Sequence, residues 1–312
     1  MTRGGFGRRT CAFAGALALA AGLAQGATEG RPRVAVFGVD LDVVKVAVSV
    51  EDKAGRNVRD LTREDFVIRE DGHVQHPQVF ARAFDAGQDD DLALDLAVLF
   101  DTSESMLDVL KLSQRAATRF LEGIPRARDL LVVFFDQDIR ISRYQSEQQQ
   151  GLFNQIHTLE SGGNTALRDA IAACLSRLAS GQGRHAMVLF TDGDDTFSRI
   201  GYGELMRLVR SSAVTVYPVL ISSETRGKNA ARLARAFVGS LADVTGGRVF
   251  APRSAARLGE VYQTILEDLE GQYVIGYVSE NPSRDGKFRK LEIKVKRGGL
   301  KVRHRQGYYA PK

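Results

Sequence analysis

Residues 97–106 read AVLFDTSESM, an apolar run that ends at Asp101 and is followed by Ser103 and Ser105. A short apolar run bounded by polar residues is typical of a strand that is buried on both faces. A carboxylate and two hydroxyl groups at the end of a buried strand are unusual. The residues around them indicate what these groups could bind.

The same kind of run recurs along the chain and alternates with segments of helical periodicity. The predicted strands are 95–101, 129–136, 185–192, 213–220 and 247–251, and the predicted helices are 107–122, 166–180, 203–211, 229–243 and 254–270. Such alternation predicts an α/β domain over residues 92–270, built as a doubly wound, mostly parallel sheet with helices on both faces.

Strand-like patterns without helices flank this domain on both sides. They cover an N-terminal β region, residues 32–84, and a C-terminal β region, residues 271–312, while the acidic stretch 85–91 reads as a linker. Neither β region has enough strands to close a core alone, so we expect the two to pair into one β-sandwich-like region around the inserted α/β domain.

The N-terminus has the pattern of a secretory signal peptide, residues 1–26. Arg3, Arg8 and Arg9 precede an apolar stretch and a small-x-small site at 24–26. The apolar stretch is about a dozen residues, short of the ~20 that span a bilayer, so we expect cleavage and no membrane span in the mature chain. This predicts a periplasmic or secreted protein; an uncleaved membrane anchor is the competing interpretation.

Charge and cysteine content exclude several classes of function. The chain has 43 Lys and Arg against 38 Asp and Glu, and removal of the three arginines in residues 1–26 leaves 40 against 38. This balance gives no reason to expect nucleic acid as a partner. The mature chain would keep Cys174 alone, which excludes an internal disulfide and a cysteine-pair metal site.

Polar residues gather where the predicted strands end. Asp101, Asp136 and Asp192 follow successive strands, and ligands of open parallel sheets bind beyond the carboxyl ends of strands. Ser103, Ser105 and, after two glycines, Thr165 add hydroxyl groups. A carboxylate and hydroxyl set suits Mg²⁺ or Mn²⁺ and not zinc. Taken singly, Ser103 and Thr165 could be helix N-caps and Asp192 a turn residue.

The motif D-T-S-E-S at 101–105, with Thr165 in its glycine loop and Asp192 in T-D-G, resembles the metal-ion-dependent adhesion site (MIDAS) of von Willebrand factor A domains. The flanks resemble a bacterial group of secreted proteins with a related domain: VEDKAGRNVRDLTREDFVIREDGHVQ before it and the segment from residue 271 onward after it. The resemblance implies a Rossmann-like fold for residues 92–270.

The resemblance also implies roles for the five residues. Ser103 and Ser105 would bind the cation directly, Thr165 directly or through water, and Asp101 and Asp192 mainly through water. Asn164, between the glycines and Thr165, departs from the commonest pattern and makes Thr165 the least certain ligand. The cation would keep positive character and take an Asp or Glu from a protein partner, which predicts an adhesive binding protein and not an enzyme.

Two other classes stay open. A Mg²⁺-dependent hydrolase such as a phosphatase would also use a strand-end aspartate, although Ser103 stands where its second aspartate is expected. A structural envelope protein with a vestigial metal site would need no ion at all. The sequence does not decide the oligomeric state, or between protein and polysaccharide as the ligand.

Overall fold

The computed structural model describes residues 43–83, 92–124, 127–144, 149–178, 183–221, 227–252 and 257–312. The strands are β1 (Val43–Glu51), β2 (Phe66–Glu70), β3 (His73–Gln75), β4 (Val79–Arg82), β5 (Leu94–Asp101), β6 (Asp129–Phe135), β7 (Ile139–Tyr144), β8 (Arg184–Thr191), β9 (Val214–Leu220), β10 (Tyr273–Val278), β11 (Phe288–Val295), β12 (Lys301–Arg303) and β13 (Gly307–Tyr309). The helices are α1 (Leu110–Gly123), α2 (Gln149–His157), α3 (Leu167–Leu178), α4 (Tyr202–Ser211), α5 (Lys228–Thr245) and α6 (Leu258–Glu270).

The central sheet has five strands in the order β7-β6-β5-β8-β9. β5 pairs in parallel with β6 and β8, β8 pairs in parallel with β9, and β7 runs antiparallel to β6. Every residue of β5 is buried, as expected for the middle strand of a sheet that is covered on both faces. The carboxyl ends of the four parallel strands therefore meet at one edge of the sheet.

Helices cover both faces of this sheet and enclose two apolar cores. On one face, Phe100, Phe134 and Phe190 stack and pack against α1, α2 and α6. On the other, Leu99 and Leu189 pack with residues of α3, α4 and α5. The fold class predicted from the sequence, a doubly wound and mostly parallel α/β sheet, is confirmed.

Eight short strands outside this domain form two antiparallel sheets, in the orders β12-β1-β10-β4 and β13-β11-β2-β3. Each sheet combines strands from before and after the α/β domain: β1 and β4 pair with β10, and β2 pairs with β11. The two sheets share one core, in which the ring centroids of Phe66 and Tyr273 lie 5.3 Å apart. The α/β domain is thus inserted in a sandwich that both ends of the described chain build.

A buried group of charges connects the sandwich to the α/β domain. Arg303 on β12 donates to Glu51 on β1 at 2.7 Å, to Asp268 on α6 at 2.6 Å and to the carbonyl of Gly246. Arg248 approaches the same Glu51 at 3.3 Å. Because Glu51, Asp268 and Arg303 are all buried, loss of one member would leave a charge stranded away from water.

Some predicted elements differ from the structure. Residues 247–251 make a single parallel bridge from Phe250 to Val219 where a fifth strand was predicted, and β7 and α2 were not predicted. The signal peptide, residues 1–26, and the linker, 85–91, lie outside the described residues, so both stay predictions. Among the helices described, none is long and apolar enough to cross a membrane.

His304 holds β11 and the chain after β12 together through both ring nitrogens. Its Nε2 accepts the N–H of Ile293 at 3.0 Å, so the other nitrogen, Nδ1, carries the proton and donates to the carbonyl of Arg305 at 2.7 Å. Burial lowers the pKa of the imidazole, against smaller opposite effects of the Arg305 carbonyl and of Glu292. A second proton would convert the acceptor of the Ile293 bond into a donor.

We therefore expect acid to destabilise the protein through His304. The unfolded chain takes up a proton below pH ~6.5 while folded His304 resists it, so this part of the stability is complete above that pH and is lost as the pH falls. In His304→Gln, the amide can both accept and donate, and the free energy of unfolding, measured with urea, should fall less between pH 7 and pH 5. His73→Gln, at an exposed histidine of β3, should keep the wild-type slope. Equal slopes for all three proteins would contradict this role.

A second prediction concerns Tyr262 on α6, whose hydroxyl is buried and has no hydrogen-bond partner in the described part of the chain. Its ring packs between Phe120 and Phe190. Tyr262→Phe should raise the free energy of unfolding by up to about 1 kcal/mol, because it removes a polar group that folding desolvates without compensation. Tyr273→Phe is the matched control: its hydroxyl bonds Leu61 and Val58, and its loss should destabilise by about 1 kcal/mol. A destabilised Tyr262→Phe would show that the hydroxyl has a partner.

Candidate metal centre

Asp101 is the last residue of β5 and lies at the carboxyl edge of the central sheet. Its side chain is buried and accepts three hydrogen bonds from neutral donors. Oδ1 accepts from the backbone N–H of Ser103 at 3.0 Å and from its hydroxyl at 2.5 Å, while Oδ2 accepts from the Thr191 hydroxyl at 2.7 Å. The carboxylate therefore joins the end of β5 to the end of β8.

The electrostatic state of Asp101 follows from this position. Burial raises the pKa of its carboxyl to about 7, the hydrogen bonds from Ser103 and Thr191 oppose the rise, and the negative charge of Asp192 adds to it. Asp192 follows Thr191, which donates to Asp101, so the two acids lie at the same edge of the sheet. Because both are buried there, a cation at this edge would relieve the cost of burying negative charge.

Three loops meet at this edge. We call residues 102–109, after β5, the first loop; residues 158–166, before α3, the second loop; and residues 192–201, after β8, the third loop. The first and second loops each donate one backbone hydrogen bond to the other. Gly162 N–H donates to the carbonyl of Thr102 at 2.9 Å, and Glu104 N–H donates to the carbonyl of Gly163 at 3.2 Å. Gly163 has φ +76°, a conformation that suits glycine.

The second loop is bonded to the third through Thr165. The carbonyl of Thr165 accepts from the N–H groups of Thr196 and Phe197, both at 2.9 Å, and its own N–H donates to the Thr196 hydroxyl at 3.0 Å. Since the bond from Thr191 to Asp101 joins the end of β8 to that of β5, the three loops close into a ring. These hydrogen bonds fix the backbones of the three loops relative to one another.

The structure brings the predicted residues to this ring, with different degrees of contact. Ser103 and Ser105 lie side by side, with hydroxyl oxygens 3.1 Å apart, and Ser103 is buried while Ser105 is exposed. Thr165 is buried and held by the backbone bonds to the third loop. Asp192 is buried at the start of that loop, where its Oδ1 accepts from Asp194 N–H.

The geometry of the two serines fits a small divalent cation. Adjacent ligands of an octahedral Mg²⁺, each about 2.1 Å from the ion, are about 3.0 Å apart, close to the 3.1 Å between the hydroxyls of Ser103 and Ser105. Among the described residues, no group of three or more His, Cys, Asp or Glu is placed to hold a metal ion. A cation here would thus depend on hydroxyl oxygens, with Asp101 behind them.

Three other acids near the edge are already engaged. Asp136, which the sequence placed beside Asp101 and Asp192, forms an ion pair with Arg140 at 2.8 Å and accepts from the Thr102 hydroxyl at 3.2 Å. Asp195 accepts from the backbone N–H of Arg168, the second residue of α3, at 2.8 Å and forms an ion pair with its guanidinium. Asp194 is half-buried and also has an interaction partner.

Sequence reasoning missed two threonines of the site. Thr191 donates to Asp101 and accepts from the N–H of Gly193, so it fixes the start of the third loop. Thr102 donates through its N–H and its hydroxyl to the carbonyl of Phe135 and so prolongs the pairing of β5 with β6. The available signal was a threonine directly beside Asp101 and another directly beside Asp192.

Comparisons with known proteins found a family similarity for part of the chain. Residues 96–194, about a third of the chain, match the family model described as the von Willebrand factor type A domain. Residues 96–194 are therefore similar to a von Willebrand factor A domain, and from here on we call the α/β domain of residues 92–270 the A domain. The matched residues run from β5 into the third loop and include all five predicted ligands. Such domains are generally modules for protein interaction or adhesion.

Solved structures with similar folds include two whose names refer to this domain and one pilus adhesin. A von Willebrand factor type A protein from Catenulispora acidiphila is 14% identical, with 88% of this chain and 75% of that chain covered and a TM-score of 0.46. The ArnB paralog VWA2 from Sulfolobus acidocaldarius is 15% identical, with 86% and 76% covered and a TM-score of 0.43. The pilus adhesin SpaC from Lactobacillus rhamnosus GG is 10% identical, with 79% and 48% covered and a TM-score of 0.47. The search of curated proteins found no match.

The burial of Asp101 gives a prediction that separates structure from ligand binding. Asp101→Asn keeps the shape and can keep all three hydrogen bonds, because the amide can donate to the Thr191 hydroxyl, but it removes a buried charge that lies near Asp192. In EDTA, thermal unfolding should show a midpoint equal to or above that of the wild type, while the rise of the midpoint on addition of Mg²⁺ should disappear. A midpoint several degrees lower in EDTA would show that the charge itself stabilises the A domain.

Proposed function

We propose that the A domain binds Mg²⁺ or Mn²⁺ at the ring of the three loops and that the bound ion takes an Asp or Glu side chain of a protein partner. Ser103, Ser105 and Thr165 would supply hydroxyl oxygens, and Asp101 and Asp192 would act mainly through water. The protein would thus be a binding protein of the adhesive type, without catalysis of its own.

One observation supports this proposal above the others: two serine hydroxyls lie 3.1 Å apart, with a buried carboxylate behind one of them. A bound cation supplies positive charge that attracts a carboxylate. The chain's own residues determine how much of that charge remains. Neutral hydroxyl ligands leave most of the ion's positive charge uncompensated, whereas carboxylate ligands in direct contact with the ion would cancel it.

The exposure of the serines determines the direction from which a partner can approach. Ser103 is buried, and its hydrogen bond to Asp101 fixes its hydroxyl on the protein side of the site. Ser105 is exposed, so the site opens to solvent on that side. Leu107 and Phe197, in the first and third loops, are large apolar side chains that are also exposed. The loops of the site would therefore offer a partner apolar surface as well as the ion.

The proposed location is the periplasm or the outside of the cell. It is supported by the pattern of residues 1–26, in which a basic segment, an apolar stretch and a small-x-small site follow one another. An adhesive role is compatible with export, since the partners of an exported binding protein lie in the cell envelope or beyond it.

Calorimetric titration with Mg²⁺ and Mn²⁺ tests the site. The wild type should bind one ion per chain, and Ser105→Ala should weaken binding at least about tenfold, because it removes one neutral ligand while the buried parts of the ring stay packed. Ser176→Ala is the matched control, since it removes an exposed serine hydroxyl from α3. Equal affinities for all three proteins would contradict the proposed site, and so would a wild type that binds neither ion.

A further inference from the structure

The outward side of α5 carries an unusual arrangement of positive charge. Lys228, Arg232 and Arg235 are all exposed, and their spacing of four and three residues places them within an arc of about 60° on the helix. Within the described part of the chain, these three side chains form no ion pair. They form a continuous cationic stripe along the first two turns.

This stripe lies at the end of the helix where positive charge is least favourable. The partial positive charge of a helix N-terminus stabilises acids and disfavours cations by a few tenths of a kcal/mol each. The first turn of α5 nevertheless has no acidic residue, and its N-cap is Gly227, which offers no side-chain cap. The folding of α5 gains nothing from these cations, so their placement needs another explanation.

Apolar side chains lie on the other flank of the same exposed surface. Leu233 is 66% exposed, the most exposed of the large apolar side chains described, and Phe237 follows it by one turn. Phe237 contacts the half-exposed ring of Tyr202 at the start of α4, with centroids 6.2 Å apart. Leu233, Phe237 and Tyr202 thus form an apolar stripe, about 150° around α5 from the cations.

Ala236, which is exposed, lies between the two stripes, and a side chain built at Gly239, at the angular position of the cations, would meet no atom within 4 Å. Asn229 and Asp243 are also exposed between the stripes, near the two ends of the helix. The middle of α5 is therefore low between a cationic flank and an apolar flank. A second helix could approach closely along it, with acidic side chains turned to one flank and apolar side chains to the other.

We propose that this surface of α5 docks an acidic amphipathic helix of a protein partner. The charge complements Lys228, Arg232 and Arg235, and the apolar side of the partner covers Leu233 and Phe237. The surface goes beyond the metal centre and does not depend on it, because none of its residues lies in the three loops. The α5 surface would give a second contact to a partner whose carboxylate is bound at the metal centre, or it would bind a partner without the metal centre.

An anionic membrane is a poorer match to this surface. A helix that lies in a membrane interface needs a wide apolar face to bury among the lipids. The apolar face of α5 is already buried in the A domain, through Ala234, Val238 and Leu241, so Leu233 and part of Phe237 alone remain. One exposed leucine, on the flank of α5 away from the three cations, is too little apolar surface for a membrane and suits a protein helix better.

A designed peptide tests the proposal on the full chain. The probe is a fluorescein-labelled peptide of three Leu-Glu-Glu-Leu-Leu-Glu-Glu repeats, and binding is followed by fluorescence anisotropy in EDTA. The double variant Arg232→Gln with Arg235→Gln should bind at least about tenfold more weakly, and Leu233→Ser about fivefold more weakly. The matched control, Arg115→Gln with Arg119→Gln, removes two exposed cations from α1 and should stay within about twofold of the wild type.

Several results would overturn the proposal. They are a wild type that does not bind the peptide, an equal loss in the α1 control, unchanged binding by Leu233→Ser, or a version of the peptide with Lys for Glu that binds as well. Phosphatidylglycerol vesicles that bind the wild type as tightly as the peptide does, with the same loss in the α5 variants, would assign the surface to membranes instead. Peptide binding that needs Mg²⁺ and is lost in Ser105→Ala would assign the peptide to the metal centre. Binding that persists in EDTA supports the α5 surface whatever the metal titrations show.

Discussion

The buried carboxylate of Asp101 is the constraint on which the edge of the central sheet depends. It ends the middle strand, accepts from Ser103 in the first loop, and accepts from Thr191 at the end of β8. Burying an ionised carboxylate costs free energy unless hydrogen-bond donors surround it. Ser103 in the first loop and Thr191, just before the third loop, must therefore both lie beside Asp101. The second loop then fits between them through backbone bonds to Thr102 and Thr165.

The sandwich contributes a second constraint, which acts at a distance from the edge. Arg303 binds Glu51 of the sandwich and Asp268 of α6 in one buried cluster. Charges in such a place add little net stability, but they penalise every arrangement that separates them. Because α6 also packs beneath Phe190, two residues before Asp192, the cluster fixes the position of a helix that supports the ring of loops. The cluster therefore joins the α/β domain to the sandwich at a point where any shift between them would separate buried charges.

The sequence was informative where one physical signal dominated. The runs at 95–101 and 185–192 have apolar centres because those strands are covered on both faces. The polar residues at their carboxyl ends therefore stand out in the sequence. β7 was missed because it is half-buried and carries Arg140 and Arg143, and α2 because it is short and mostly polar. Phe250 makes one bridge in place of a strand, since Gly247 lies against the carbonyl of Val216, where no side chain would fit. The ring of loops depends on backbone bonds, which leave no pattern in the side chains.

The arrangement of acids and hydroxyls also explains why a site of this kind uses serine. Asp101 and Asp192 are buried, whereas the exposed position belongs to Ser105. If the order were reversed, an exposed carboxylate would repel the acidic side chain of an arriving partner and would cancel the charge of any cation below it. With Asp101 and Asp192 buried behind the serines, their negative charge would still favour the proposed cation, while the exposed Ser105 presents a neutral oxygen. The same logic applies to α5, where the cations stand exposed and unpaired among the described residues and leave their charge available to an acidic partner.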